Sequence, residues 1–145
     1  MNEIRFDTGI KTFNVNDCCE IAFNPADNDF VNRLYNTLDA LSKIQDKEQP
    51  EDMEPAEIWK YAQEKDKEIR SYIDALFGDG KADLLFSGVS TLALANGMPL
   101  WLNFFFAILD EIDETVKAQT AETDKRVKAL NDKYGGYMAK YGKKK

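Results

Sequence analysis

Histidine is absent from the 145 residues of this chain. Because histidine is the commonest general base and the commonest zinc ligand, its absence excludes Ser-His and Cys-His catalysis and removes the usual zinc ligand. Cysteine is scarce too: the two cysteines, Cys18 and Cys19, are neighbours. Adjacent cysteines rarely form a disulfide because the bond strains the peptide between them, so we expect two thiols in a reducing, intracellular setting. With no other Cys or His to complete a metal or redox site, we expect small, partly buried side chains.

Positive charge is scarce over most of the chain. All 26 acidic residues lie at or before Asp132, whereas five of the 19 basic residues, all lysines, follow it. Residues 1–132 therefore hold 14 basic and 26 acidic residues, a net charge of −12. Nucleic-acid binding needs a basic surface, so we expect no nucleic-acid partner. The lysines after Asp132 predict a flexible, solvated tail over residues 133–145.

One stretch has no charge of either sign. It covers the 26 residues from Leu84 to Leu109 in a chain that is 31% charged. Its length would allow it to cross a membrane, which takes about 20 apolar residues. Asn96, Gly97 and Pro99 interrupt it, however, and its flanks are acidic without the Lys or Arg bias that orients an insertion. We therefore predict that this stretch forms the centre of the core, and we expect no membrane partner.

The first 23 residues alternate between apolar and polar side chains in the manner of β-strands. The apolar pairs at period two are Ile4 and Phe6, Phe13 and Val15, and Ile21 and Phe23. Turn-forming residues separate these pairs at 7–9 and at 16–17. The pattern predicts two or three short antiparallel strands with one buried face, with the two cysteines at the second turn or at the start of the third strand.

After residue 23 the apolar period becomes helical. Asn24 as a cap and Pro25 as the first helical residue predict a helix that runs to Asp46, mainly over residues 29–46. The loop 47–55 contains two prolines and four acids and should be exposed. The pattern predicts a second helix over 55–76. Its expected buried stripe is Ile58, Ala62, Ile69, Ile73 and Leu76, with Trp59 and Tyr72 at its edges and Arg70 on the solvent side.

A glycine-rich turn, residues 77–80, ends the second helix. Its glycines followed by Lys81 do not form a phosphate-binding loop, because the spacing is wrong and no Ser or Thr follows the lysine. A tight segment follows, and a short helix or turn is expected near 91–95. The last helix should begin near Pro99, be apolar and therefore buried nearly all round at first, and end at Gly135-Gly136. The residues expected to hold the core are Phe77, Gly78, Gly80, Phe86, Pro99, Trp101, Phe105 and Ile108.

The second half of that last helix is acidic and sparsely apolar, so it should stand in solvent or against a partner. The candidate partner-binding residues are Val116, Val127, Leu130, Tyr134, Tyr137 and Tyr141. Paired carboxylates at 110–111 and 113–114 could suggest an enzyme, but on a helix such pairs more often form a solvated face. We therefore expect no enzymatic activity, no catalytic or metal-binding residues and no cofactor.

These patterns together predict an α+β fold that is mainly α. A small N-terminal antiparallel hairpin or sheet should pack on a bundle of about three main helices, near 29–46, 55–76 and 99–132. Residues 1–132 should form one globular domain, with the β region in 1–23 and the helices in 24–132.

Several segments resemble the tail assembly chaperones of siphophages and prophages of Firmicutes. The resemblance lies in Ile73-Asp74-Ala75-Leu76-Phe77-Gly78-Asp79-Gly80, Leu85-Phe86-Ser87-Gly88, Gly97-Met98-Pro99-Leu100 with its Phe-rich helix, and the opening Phe23-Asn24-Pro25-Ala26-Asp27. It covers roughly residues 3–115 and leaves out the C-terminal part of the last helix and the lysine tail.

The resemblance implies a non-enzymatic protein of the host bacterial cytoplasm. Such a chaperone binds the tape measure protein, keeps it soluble during tail morphogenesis, and is displaced as the tail tube protein polymerises. Self-association is a further possibility. The alternative is a phage-encoded protein that binds and inhibits, or triggers, a bacterial defence system, since a net charge of −12 over residues 1–132 can imitate nucleic acid.

Overall fold

An N-terminal β-hairpin begins the fold. The computed structural model describes the backbone of residues 1–48 and 51–137 and the side chains through Lys133. Strands β1 (Lys11–Val15) and β2 (Cys19–Phe23) pair antiparallel, with Phe13 opposite Ile21. The turn between them places Asn16 and Asp17 at φ of 51° and 59°, a left-handed conformation that Asn and Asp tolerate better than other side chains. The predicted hairpin of 13–23 is therefore confirmed, with Cys18 in the turn and Cys19 starting β2.

The predicted strand through Ile4 and Phe6 does not form. Residues 1–10 have no regular secondary structure, and β1 pairs only with β2 among the described residues. The side-chain amide of Asn24 donates to the carbonyl of Thr8 at 2.9 Å and so holds the chain just before β1 against the end of β2. Alternation of apolar and polar residues indicates which side chains share a face of a strand. It does not indicate whether a second strand lies beside that strand.

Two long helices follow the hairpin. Helix α1 covers Asn28–Asp46 and α2 covers Pro55–Phe77. The predicted cap of α1 was wrong: Asp27, not Asn24, caps it, accepting a hydrogen bond of 2.9 Å from the amide of Asp29. Asn24 instead accepts from the amide of Ala26 at 2.7 Å, forming a turn before the helix. The buried faces are Phe30, Leu34, Leu41 and Ile44 on α1 and Ile69 and Ile73 on α2.

The predicted loop between α1 and α2 is exposed at residues 47–48, 51–52 and 54, while Gln49 and Pro50 lie outside the described residues. Beyond α2, the short helix α3 covers Lys81–Phe86. The carboxylate of Asp74 accepts hydrogen bonds from the amides of Gly80 and Ala82, at 3.1 and 2.8 Å, and joins the end of α2 to the start of α3.

The turn expected near 91–95 forms at residues 91–92, where the amide of Ala93 donates to the carbonyl of Ser90 at 3.0 Å, and a small second hairpin follows it. Strands β3 (Leu94–Ala95) and β4 (Met98–Pro99) pair antiparallel around Asn96 and Gly97, whose φ values of 57° and 77° suit a tight hairpin turn. The side-chain amide of Asn103 donates to the carbonyls of Ala95, Met98 and Pro99 at 2.9 to 3.2 Å. This anchors the hairpin on the next helix.

Helix α4 covers Leu100–Tyr137, 38 residues with a length of about 57 Å at 1.5 Å per residue. Two expectations about it were wrong. Its first half is not buried all round, because Phe106 is 42% exposed. Gly135 and Gly136 do not end it, since two glycines lower helix propensity by about 1 kcal/mol each without removing a backbone hydrogen bond. Of the predicted tail, 133–137 belong to α4 and 138–145 lie outside the described residues.

A chain of aromatic rings forms much of the core. Phe13 stacks on Phe23 and Phe23 on Phe30, with ring centroids 4.7 and 4.6 Å apart. Phe77 contacts Phe30 at 6.0 Å and continues to Phe104 at 5.6 Å, so the rings connect β1, β2, α1, α2 and α4. Such edge and offset contacts add about 0.5–1.5 kcal/mol per pair beyond area burial. The fold is α+β and mainly α, as predicted, with the hairpin packed on the helices.

Candidate partner-binding site

The second half of α4 leaves the body of the protein. Thr115 is 6% exposed, whereas every residue from 116 to 133 is exposed. These 18 residues form a projecting segment of about 27 Å. Val116, Val127 and Leu130 are 45%, 49% and 52% exposed. At 100° per residue, they fall within about 60° of one another and form one apolar face.

The three tyrosines among the candidate partner-binding residues follow Leu130 in the sequence. Tyr134 and Tyr137 continue the same spacing in the sequence, and the helical backbone of α4 reaches Tyr137. Tyr141 lies outside the described residues. The structure therefore places Val116, Val127 and Leu130 together on one exposed helix face, and it extends the helix far enough for two of the tyrosines.

The N-terminal arm, residues 1–10, joins β1 close to the point at which this projecting segment begins. Ile4, Phe6 and Ile10 are 92%, 80% and 61% exposed. A surface groove of about 370 Å³ is lined by the base of the arm from Asp7 to Lys11 and by Thr115 and Gln119 of α4. The arm and the projecting segment thus start at the same end of the molecule.

We call the exposed apolar residues of these two elements the apolar end. It consists of Ile4, Phe6, Ile10, Val116, Val127 and Leu130. Full burial of a large apolar side chain gains about 1.5–3 kcal/mol relative to exposure, so covering this surface would be strongly favourable. Large exposed apolar side chains that cluster are typical of interaction sites, so these residues are the candidate partner-binding surface.

The carboxylates at the root of the projecting segment are solvated. Asp110, Asp113 and Glu114 are exposed and Glu111 is half-buried. Asp113 forms an ion pair of 3.0 Å with Lys117 one helical turn later. These groups make an acidic root beside the apolar end.

A larger groove, of about 620 Å³, lies between the hairpin and α1. Asp27 is the one acidic residue among those that line it, and its carboxylate already caps α1.

The adjacent cysteines lie on the other side of the hairpin, at its turn. Their sulfur atoms are 3.6 Å apart, and Cys18 Sγ also lies 3.1 Å from the carbonyl of Val15. Burial and the neighbouring Cys18 raise the pKa of the Cys19 thiol, despite an opposing effect of Lys81. Cys19 is therefore a thiol rather than a reactive thiolate at neutral pH. Within residues 1–48 and 51–137, no group of three or more His, Cys, Asp or Glu side chains could hold a metal ion.

Arg70 was expected on the solvent side of α2 and instead lies in a partly buried network. Its guanidinium contacts Asp66 at 2.9 Å and Asp83 at 3.0 Å and donates to the carbonyl of Val89 at 2.8 Å. Asp66 also accepts from the amide and hydroxyl of Thr91, at 2.7 and 2.5 Å. Burial raises the pKa of Asp66, but the bonds from Thr91 and Arg70 outweigh it and lower that pKa below 3.8. The network fastens the segment after α3 to α2.

The residues expected to hold the core divide into two groups. Phe86, Pro99, Trp101, Phe105 and Ile108 are buried, and Phe77 is half-buried among other rings. Gly78 and Gly80 are exposed, and their φ values of 125° and 80° show that they shape the turn instead of filling the core. The sequence analysis did not count Ile4, Phe6 and Ile10 among the candidate partner-binding residues, because their alternation also fits a paired strand.

No helix among the described residues has the length and hydropathy needed to cross a membrane. Comparison of the chain with protein-family models, with curated proteins and with solved structures found no match.

Proposed function

We propose that this chain is a non-enzymatic binding protein that acts as a phage tail assembly chaperone. In this proposal it binds the tape measure protein, keeps it soluble during tail morphogenesis, and releases it to the tail tube protein. The observation that carries the proposal is the apolar end, where six large apolar side chains stand 45% or more exposed on two elements leaving the body. The sequence resemblance to this chaperone family supplies the identity of the partner.

The shape of the apolar end suits a helical partner. Val116, Val127 and Leu130 are spaced along α4 as in a helix that packs lengthwise on another helix. In the family that the chain resembles, the tape measure protein is a long, largely helical rod, and it would present many similar segments. Each contact covers only a few side chains, so many copies bound along one rod would supply the total affinity.

The rest of the surface supports a solubilising role. Residues 1–115 contain 10 basic and 23 acidic residues, a net charge of −13. A rod coated with such bodies would carry a large negative charge, which opposes association of coated rods. The apolar end would face the rod and the acidic body would face the solvent.

Pull-down of tape measure segments co-expressed with the chain tests the proposal. Val127→Asp places a charge in the exposed apolar face and should weaken binding at least tenfold. Ala121→Asp adds the same charge on the opposite side of the same exposed segment and should leave binding unchanged. Binding should survive moderate salt, because the contact is mainly apolar. Equal loss in both variants, or a tape measure protein that remains soluble without this chain, would count against the proposal.

A further inference from the structure

The two cysteine sulfur atoms lie side by side at the turn of the first hairpin. Cys18 Sγ and Cys19 Sγ are 3.6 Å apart, and neither takes part in a disulfide. Cys18 is exposed and Cys19 is half-buried, so a small molecule can reach the pair from the solvent. A disulfide between neighbouring residues would strain the peptide between them, and the pair is therefore available as two thiols.

Hydrogen bonds hold the turn that carries the two thiols. The side-chain amide of Asn14 donates to the carboxylate of Asp17 at 3.2 Å, and the backbone amide of Asp17 donates to the side-chain oxygen of Asn14 at 3.1 Å. The amide of Cys18 donates to the carbonyl of Val15 at 3.0 Å, and Cys19 pairs with Val15 in the hairpin. The sulfur atoms are therefore positioned before any ligand binds, which lowers the entropic cost of chelation.

The distance between the sulfur atoms fits a single atom bonded to both. Two sulfur ligands at about 2.3 Å from a tetrahedral zinc ion lie about 3.8 Å apart. A pyramidal trivalent arsenic atom has a narrower angle between its ligands, so its two sulfur atoms lie slightly closer together. The distance of 3.6 Å between Cys18 Sγ and Cys19 Sγ lies in this range. One soft atom can thus join both sulfurs with only a small movement of the side chains.

The number of ligands favours arsenic over a metal ion. A structural zinc ion takes four protein ligands. Within residues 1–48 and 51–137, no group of three or more His, Cys, Asp or Glu side chains could hold a metal ion. Trivalent arsenic needs only three bonds, and an organic arsenical already has one of them to carbon. The cysteine pair supplies the other two ligands.

An apolar groove begins at Cys18 and can accommodate the organic group of such a ligand. Its volume of about 520 Å³ lies within the range of small-molecule sites. Leu85, Phe86, Leu100 and Phe104 line it together with Cys18. A phenyl group in this groove would leave water and contact aromatic side chains, which favours an aryl arsenical over inorganic arsenite.

We propose that Cys18 and Cys19 form a chelating site for trivalent arsenicals, with the organic group of the ligand in this groove. In the reaction with phenylarsine oxide, two S–H bonds and the arsenic–oxygen double bond break, and two S–As bonds form. The oxygen leaves with both protons as one water molecule. Arsenic stays trivalent and the sulfurs keep their oxidation state, so the reaction needs no oxidant or reductant. Neither cysteine belongs to the apolar end, and the site is therefore independent of the proposed function.

Intact-mass spectrometry of the reduced full chain with phenylarsine oxide tests the site. One phenylarsenic group should add per chain in place of two hydrogens. The adduct should survive a large excess of the monothiol glutathione, because the second S–As bond forms within the molecule, and the dithiol dimercaptopropanol should remove it. Loss of the adduct in glutathione would overturn the proposal.

Variants with a different arrangement of thiols provide the controls. Cys18→Ser and Cys19→Ser each leave one sulfur and should bind phenylarsine oxide at least tenfold more weakly in excess glutathione. Cys18→Ser with Ala22→Cys keeps two thiols but places them on opposite faces of β2, so this variant should lose the adduct as well. Circular dichroism shows whether each variant is folded. An adduct that persists in the folded variant with separated thiols would overturn the chelate.

Competition between phenylarsine oxide and arsenite tests the groove. The reference is dithiothreitol, a free dithiol with no groove, and the chain should prefer phenylarsine oxide at least tenfold more strongly than dithiothreitol does. Ala107→Asp places a charge in the groove at an exposed position of α4 and should remove most of this preference. Equal preference in the chain and in dithiothreitol would overturn the placement of the phenyl group in the groove.

Discussion

The indole N–H of Trp101 donates a hydrogen bond of 2.6 Å to the side-chain oxygen of Gln45. Trp101 lies in the first turn of α4 and is 2% exposed, and Gln45 lies in the last turn of α1. The bond joins two elements 56 residues apart in the chain. It gives the polar atom of a buried ring a partner, as such rings require.

Replacing Gln45 by leucine should destabilise the fold although it adds apolar surface. The indole N–H would remain buried without an acceptor, which costs about 1–3 kcal/mol. Urea unfolding should show this loss, whereas Gln63→Leu, at an exposed position of α2, should change the free energy of unfolding by less than about 0.5 kcal/mol. A Gln45→Leu protein as stable as the parent would show that water replaces the amide.

Truncation to alanine should destabilise the fold much more at Trp101 than at Trp59. Trp101→Ala removes a buried ring and should lower the free energy of unfolding by about 3–5 kcal/mol. Trp59 is 71% exposed, so Trp59→Ala should cost less than about 1 kcal/mol. Thermal unfolding of both variants provides the comparison. A stable Trp101→Ala protein that had lost only partner binding would assign that ring to docking.

The Asp66 network should make stability fall in acid. The pKa of Asp66 is below 3.8 in the folded chain, so its stabilisation is complete above the unfolded value and is lost as pH falls through the folded value. Asp66→Asn should therefore cost about 1–3 kcal/mol at neutral pH, and the cost should shrink as the pH falls below the unfolded pKa of Asp. Urea unfolding across this range measures it, with exposed Glu64→Gln as the control. A cost independent of pH would contradict the assignment.

Removing the end of the chain should leave the stability of the fold nearly unchanged. Truncation after Asp132 deletes no side chain that is buried among the described residues, so the free energy of unfolding should change by less than about 0.5 kcal/mol. Calorimetry of the truncated and the full chain measures this change. A large loss of stability would show that these residues pack on the body.

The long helices could be predicted because their signals are local. The Pro55 start, the period of the buried faces and the breaking residues after Phe77 lie within each helix or beside it, and the predicted bounds agree within about one residue for α1 and α2. Prediction was poorer where two neighbouring residues compete for one role. Asn24 and Asp27 can both cap a helix, and the bond from Asn24 to distant Thr8 decides between them.

Contacts between residues that are distant in the sequence could not be predicted. Arg70 occupies a helix position that faces solvent by spacing, but its long side chain extends to Asp83 and to the carbonyl of Val89. The exposure of Phe6 likewise depends on whether a strand lies beside it. The exposure of Val116, Val127 and Leu130 could be predicted, because few apolar residues occur in the polar second half of α4.

The chain of aromatic rings also bears on synthesis by the ribosome. Phe23 of the hairpin contacts Phe77, with ring centroids 6.1 Å apart, and Phe77 contacts Phe104. At about 5–20 residues per second, some 4–16 s separate the synthesis of Phe23 from that of Phe104. During that interval the hairpin can already pack on α1 through Phe30, but the core still lacks the rings of α4. The nascent chain therefore passes through a stage at which the apolar faces of its first helices are incompletely covered.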